Sequence, residues 1–140
     1  MLALNSSARL KSETDTCTIR YSGANRPVWI LNAASGKVTE REIKGTKAAI
    51  GGYTPDGQSF DEHEIHIKKN DCVYLFTDGF ADQFGGEKEK KLTTKRFRSY
   101  LHSICHLHPQ EQVKQLDAFF SQWKNNFQQV DDVLVIILKF

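Results

Sequence analysis

The chain has 140 residues, 39% of them hydrophobic and 11% aromatic, with 19 lysines and arginines against 17 aspartates and glutamates, a net charge of +2. This is the size of one domain able to bury a real core, and the composition excludes the disordered and disulfide-rich classes. The near balance of charge gives no ground for nucleic acid or an anionic membrane as an obligatory partner, and the apolar runs Val73–Phe76 and Val133–Leu138 are too short to span a bilayer.

In chain order, Met1–Leu4 reads as an apolar strand and Asn5–Asp15 as a polar loop, with nothing resembling a signal peptide. From Thr16 to Ser22 the residues Cys17, Ile19 and Tyr21 alternate with Thr16, Thr18 and Arg20, the period of a half-buried strand. Gly23–Pro27 breaks it, Val28–Leu31 is a short strand, and Ser35-Gly36 turns into Lys37–Ile43 with Val38 and Ile43 inward. A loop rich in glycine follows, holding Gly45, Gly51, Gly52, Pro55 and Gly57. Alternation returns from Phe60 to Ile67, which puts His63 and His66 on the solvent face. Asn70-Asp71 signals a turn, and Cys72–Phe76 is continuously apolar, as in a strand covered on both faces.

Two helices are expected next. Thr93 or Thr94 caps a helix whose apolar face is Phe97, Tyr100, Leu101, Ile104 and Cys105. His108-Pro109 starts another, with proline at the first helical position and Val113, Leu116, Phe119, Phe120, Trp123 and Phe127 as one stripe. Val133–Leu138 closes the chain as a buried strand. Several strands, two consecutive helices and a final strand make an α+β fold in a single domain, 1–140. Cys17, Cys72 and Cys105 are widely spaced and form no CxxC pair, so they read as reduced thiols of a cytoplasmic protein.

Two acidic features can carry chemistry. Thr77-Asp78-Gly79 follows the Cys72–Phe76 strand, where a carboxylate at a strand end, with a glycine letting the chain turn, can hold a hard cation. Asp-Gly is equally a common turn dipeptide. Asp131-Asp132 precedes the last strand; adjacent carboxylates repel, and are either solvated or held by a cation. Together they place acid at the mouths of two buried strands, as a metal site assembled from separate segments requires.

The run Tyr74-Leu75-Phe76-Thr77-Asp78-Gly79-Phe80-Ala81-Asp82-Gln83-Phe84-Gly85-Gly86 resembles the strand-"TDG" motif of SpoIIE-like, PPM-type metal-dependent serine/threonine phosphatases. Asp131-Asp132-Val133 is similar to that family's terminal "DD" motif, and Tyr21-Ser22-Gly23-Ala24-Asn25-Arg26-Pro27-Val28-Trp29 to its "aGANxPlw" segment. Ala49-Ile50-Gly51 matches its "PIG" turn with alanine in place of proline, and Asn70-Asp71 stands where "GD" is usual. The resemblance implies a β-sandwich flanked by helices and mainly antiparallel. It also implies a pair of Mn²⁺ or Mg²⁺ ions that activate a water against a phosphoserine or phosphothreonine. It assigns metal ligation to Asp78, with Gly79 serving geometry, and to Asp131, with Asp132 beside it.

The family's N-terminal "GDxxGHG"-like loop has no counterpart in the chain. Asp15 and Asp56-Gly57 do not replace it. The resemblance therefore implies the C-terminal part of such a domain, truncated at the N-terminus, inactive alone, and preceded in its parent by a sensor or dimerisation region, with a membrane-anchored parent compatible with it. The implied partner is a phosphorylated bacterial regulatory protein such as an anti-sigma-factor antagonist, and an uncovered apolar edge would favour a homodimer. The alternatives are a catalytically dead PPM-like binding module and an unrelated α+β domain in which both acidic features are turns. The basic run Glu87–Lys91 with Lys95, Arg96 and Arg98 reads as a solvated face or a phosphate-contacting patch. His102, His106 and His108 read as surface histidines.

Overall fold

Strand β5 (Asp71–Phe76) follows β1 (Thr16–Tyr21), β2 (Val28–Asn32), β3 (Thr39–Ile43) and β4 (His63–Lys68) in the chain. After it come the short helix α1 (Gly79–Asp82), the hairpin strands β6 (Phe84–Gly85) and β7 (Lys90–Lys91), helices α2 (Thr94–Ile104) and α3 (Pro109–Lys124), and strand β8 (Val135–Lys139). The structure, a computed structural model, describes residues 16–51 and 57–140. The expected strand at Met1–Leu4, the loop at Asn5–Asp15, and Gly52, Pro55 and Asp56 lie outside them.

Among the described residues, β3, β2, β5 and β8 form a four-stranded antiparallel sheet in that order, and β1 pairs with β4 in a separate antiparallel two-stranded sheet. Strand periodicity sends alternate side chains of the larger sheet to opposite faces, and each face has its own core. Val28, Ile30, Val73 and Leu75 meet Tyr21, Ile65 and Ile67 of the smaller sheet. Trp29, Leu31, Cys72 and Tyr74 meet Phe80, Phe97, Leu101, Leu116 and Phe120 from the helices. The result is a β-sandwich with helices on its outer side, the α+β arrangement expected. Strand β5 is buried from Asp71 to Leu75, which is why its sequence is a continuous apolar run instead of an alternating one.

The helix boundaries follow their local chemistry. Thr93 is the N-cap of α2, its side chain accepting from the Arg96 N–H at 3.4 Å. Pro109 opens α3 where no intrahelical N–H is needed. Phe97 is fully buried against Phe80 (centroids 4.4 Å apart), Phe76 (5.3 Å) and Trp29 (5.8 Å), the centre of the helix-side core. Truncating such a ring costs ~3–5 kcal/mol. The apolar stripe expected on α3 departs from the observed one: Leu116 and Phe120 are buried, Val113 is 54% exposed, and Phe127 lies beyond the helix.

Gln112 takes the buried place instead. The Tyr74 hydroxyl donates to Gln112 Oε1 at 2.7 Å, and Gln112 Nε2 donates to the Leu107 carbonyl at 3.0 Å. Burial pushes the Tyr74 phenol far up from its ordinary value, so it stays a donor. His63 also departs from expectation. It shares the inner face of β4 with Ile65 and Ile67 and stacks on Tyr21, leaving His66 on the solvent face. The turn at Asn70-Asp71 brings Asp71, 2% exposed, to Arg41 Nη2 (2.7 Å), Asn32 Nδ2 (2.6 Å) and the Lys68 N–H (2.9 Å). This buried carboxylate is fully compensated by the fold. Cys72 and Cys105 are buried and free, and burial raises the Cys105 thiol.

Tyr74→Phe leaves Gln112 Oε1 buried without its donor and should lower stability by about 1–3 kcal/mol. Tyr74→Phe with Gln112→Leu should cost less than the sum of the single changes, a coupling read from urea unfolding of the four proteins.

Candidate functional site

The acids sit where β5 ends and β8 begins. Thr77 makes the junction: its N–H donates to the Leu134 carbonyl at 3.0 Å, its hydroxyl donates to the Asp132 carbonyl at 2.8 Å, and the same oxygen accepts from the Leu134 N–H at 3.0 Å. A threonine hydroxyl satisfying local backbone groups in this way is a familiar device for fixing a chain at an element's end. Here it fixes two segments to each other, 55 residues apart in sequence.

Gly79 then brings the next turn against Asp131-Asp132. A Cβ at Gly79 would lie 2.4 Å from the Asp132 carbonyl oxygen and 3.2 Å from that of Asp131. Only glycine permits backbone this close, which is the geometric role expected for it. Asp131 Oδ1 accepts from the Asp132 N–H at 2.7 Å, and the Asp131 carbonyl accepts from Gln129 Nε2 at 2.9 Å. Both aspartates are exposed.

Asp78 stands at the N-terminal boundary of α1, but its carboxylate does not cap that helix. It pairs with the Arg26 guanidinium. Arg26 is held from behind: the Tyr21 hydroxyl donates to its carbonyl, its N–H donates to the Ala24 carbonyl at 2.7 Å, and the neighbouring Gly23 and Asn25 bond to Thr46. Gly23 and Gly45 are required for this close packing, since a Cβ at Gly45 would fall 2.5 Å from the Arg26 carbonyl. Beside the ion pair, Arg26, Pro27, Leu75, Thr77, Leu134 and Ile136 line a hollow of about 310 Å³.

The structure thus gathers Asp78, Gly79, Asp131 and Asp132 in one place. It gives roles to two residues that the sequence names only within motifs: Thr77, which joins the segments, and Arg26, which faces Asp78. Mg²⁺ keeps near-ideal octahedral oxygen coordination, and a pair of such ions needs several carboxylates. No group of three or more His, Cys, Asp or Glu side chains converges among the described residues. The segments that carry Asp78 and Asp131-Asp132 meet through their backbones at Gly79, and their three carboxylates do not make such a group. His102 lies elsewhere, its Nε2 2.5 Å from Glu40 Oε2, and belongs to an ion-pair group with Arg98.

The family profile of stage II sporulation protein E (SpoIIE) matches residues 6–140. Among solved structures, the SiaA-PP2C domain of Pseudomonas aeruginosa aligns with a TM-score of 0.76 at 24% sequence identity, over 88% of this chain and 46% of that one. The fold is shared, and the chain spans about half the length of that structure. No curated protein sequence matches the chain.

Gly79→Ala should force the Asp131–Asp132 backbone away from α1 and cost about 1–3 kcal/mol, the usual range for overpacking. Thermal unfolding reads the loss. Displaced amide resonances for Asp132 and Leu134 locate it, and unchanged resonances there would refute the contact.

Proposed function

Because the chain belongs to the SpoIIE family, we propose that it carries one part of a metal-dependent phosphatase site, with Asp78 and Asp131 as ligands and Asp132 beside them. The proposed reaction is hydrolysis of phosphoserine or phosphothreonine on a bacterial regulatory protein, an anti-sigma-factor antagonist being one such substrate. The observation that supports it most is the convergence of Thr77–Gly79 with Asp131–Asp132 through Gly79, because the two acidic segments of the family pattern meet at backbone contact. Bound Mn²⁺ or Mg²⁺ would supply a water acidified toward neutral pH and neutralise charge on phosphoryl oxygens. This chain's part is to hold carboxylates at fixed positions, after the buried β5 and ahead of β8, which is a half-buried edge strand among the described residues and not the buried one expected, so that the ligands cost little reorganisation. Thr77 keeps β5 and β8 in register at that point, and Gly79 sets the approach of α1.

The donor set on the described residues is too small for a pair of hard cations, so we assign the chain no turnover of its own. Further carboxylates would have to come from a companion segment. The Arg26–Asp78 ion pair favours a second reading, a catalytically silent binding module in which the guanidinium permanently neutralises the carboxylate.

The 140-residue chain should hydrolyse a phosphoserine peptide in Mn²⁺ no faster than buffer. In a longer chain that is active, Asp78→Asn and Asp131→Asn should each lower the Mn²⁺-dependent rate by ~100-fold or more, as loss of a metal-supporting carboxylate does. Hydrolysis by the isolated chain would contradict the partial site, and full activity of Asp78→Asn would contradict the ligand assignment. A longer chain that holds Mn²⁺ nowhere near Asp78 and never turns over would select the silent module.

A further inference from the structure

We propose that the pocket between the β6–β7 hairpin and the C-terminal end of α3 docks an acidic peptide segment, the flank of the phosphoprotein substrate; this rests on the phosphatase reading above. The pocket has a volume of about 820 Å³ and lies apart from the acidic residues just described. Its floor is Trp123, and the hairpin is built onto that side chain. A Cβ at Gly85 would lie 1.9 Å from the Trp123 carbonyl oxygen, and one at Gly86 would lie 2.9 Å from the indole ring. The Gly86 N–H donates to the Trp123 carbonyl at 3.0 Å, and Trp123 Nε1 donates to the Gln83 carbonyl at 3.0 Å. The Gly85-Gly86 pair is thus what lets the hairpin close against α3.

The charge around this floor is positive. Lys88, Lys90, Lys91 and Arg96 line the pocket, against one carboxylate, Glu87. Lys91 is engaged by Asp82 at 3.3 Å. Lys88, Lys90 and Arg96 make no ion pair among the described residues. The Arg96 guanidinium stacks over Trp123, 4.8 Å from the ring centroid, which holds it at the pocket wall with its donors directed by a planar fork. Cations around an aromatic floor with an apolar wall at Phe119 suit a peptide that presents carboxylates from an extended backbone.

The position is right for a substrate flank. Helix α1 is four residues long and runs from Gly79, at the acids, to the hairpin. At 1.5 Å of rise per residue the hairpin begins only ~6 Å further on. An extended peptide advances ~3.3 Å per residue, so a substrate held at the acids would need only a few residues to cover the length of α1. The lysines and the arginine that read as a solvated basic run in the sequence are thereby drawn around one cavity.

The test uses a Glu-rich peptide without phosphate, added to the chain in metal-free buffer and followed by tryptophan fluorescence. Trp123 is the reporter, since Trp29 is 1% exposed and gives a constant background. The Glu peptide should bind saturably, and the same peptide with Gln in place of Glu should not. Arg96→Gln with Lys90→Gln should weaken binding about tenfold, as should raising the salt from about 0.05 to 0.5 M. Because Arg96 packs on Trp123, Lys88→Glu with Lys90→Glu on the exposed hairpin serves as a second variant, with circular dichroism confirming its fold. Equal binding of both peptides, or binding that neither variant weakens, would overturn the proposal. The assay contains neither phosphate nor metal, so its failure is separate from any failure of hydrolysis.

Discussion

Strand β5 has no solvent face, and the rest of the molecule is arranged to keep it so. Its alternate side chains enter two different cores, Val73 and Leu75 toward the smaller sheet, Cys72 and Tyr74 toward the helices. β2 on one side and β8 on the other take its backbone hydrogen bonds. A strand held on four sides cannot slip in register, since a one-residue shift would exchange its two faces and place Tyr74 where Val73 belongs. The residue that follows it is therefore fixed in space. That residue is Thr77, and the acids inherit their positions from it.

The polar contacts deepen this. Tyr74 and Gln112 carry a hydrogen bond through the helix-side core and tie β5 to α3. At the lower end of the strand, Asp71 gathers Arg41, Asn32 and the Lys68 N–H, so that a buried charge becomes a lock on the turn. At the upper end Thr77 performs the same task with a neutral hydroxyl. Among the described residues, the one buried carboxylate, Asp71, thus serves structure, while Asp78, Asp131 and Asp132 stay at the surface. Acids kept at the surface can gather a cation without the desolvation cost that a buried cluster would carry.

Much of this was legible from residues alone, where the signal was local. The continuous Cys72–Phe76 run, the Ile65 and Ile67 alternation, the Thr93 cap and Pro109 each report a short-range rule, and each element forms there, although β4 begins at His63 and not at Phe60. Strands of two residues and a helix of four have no period to detect, so α1, β6 and β7 were invisible. The α3 face was misread at Val113 because a buried glutamine looks polar until its partner, Tyr74, is known. At the site, Asp78, Gly79 and the two terminal aspartates could be named, since strand ends and the resemblance both marked them. Arg26 could not. It reaches a carboxylate 52 residues away, and nothing in its own loop announces the destination. Thr77 stood in plain view beside Asp78, and the tendency of threonine to bond backbone at element ends was the signal available.

Arg26 also bears on how such a site can exist in part. Like charges at the mouths of two strands would repel, and the guanidinium offsets that repulsion with a cation belonging to the fold. The Arg26 and Asp78 side chains are 44% and 42% exposed, and an ion pair so open to water contributes at most about 1 kcal/mol. A hard cation bound by several carboxylates at once contributes more than that, so Arg26 would yield to a complete ligand set and prevail over an incomplete one. The number of carboxylates brought to Asp78 therefore decides between a metal centre and a silent ion pair, while the strength of the ion pair does not.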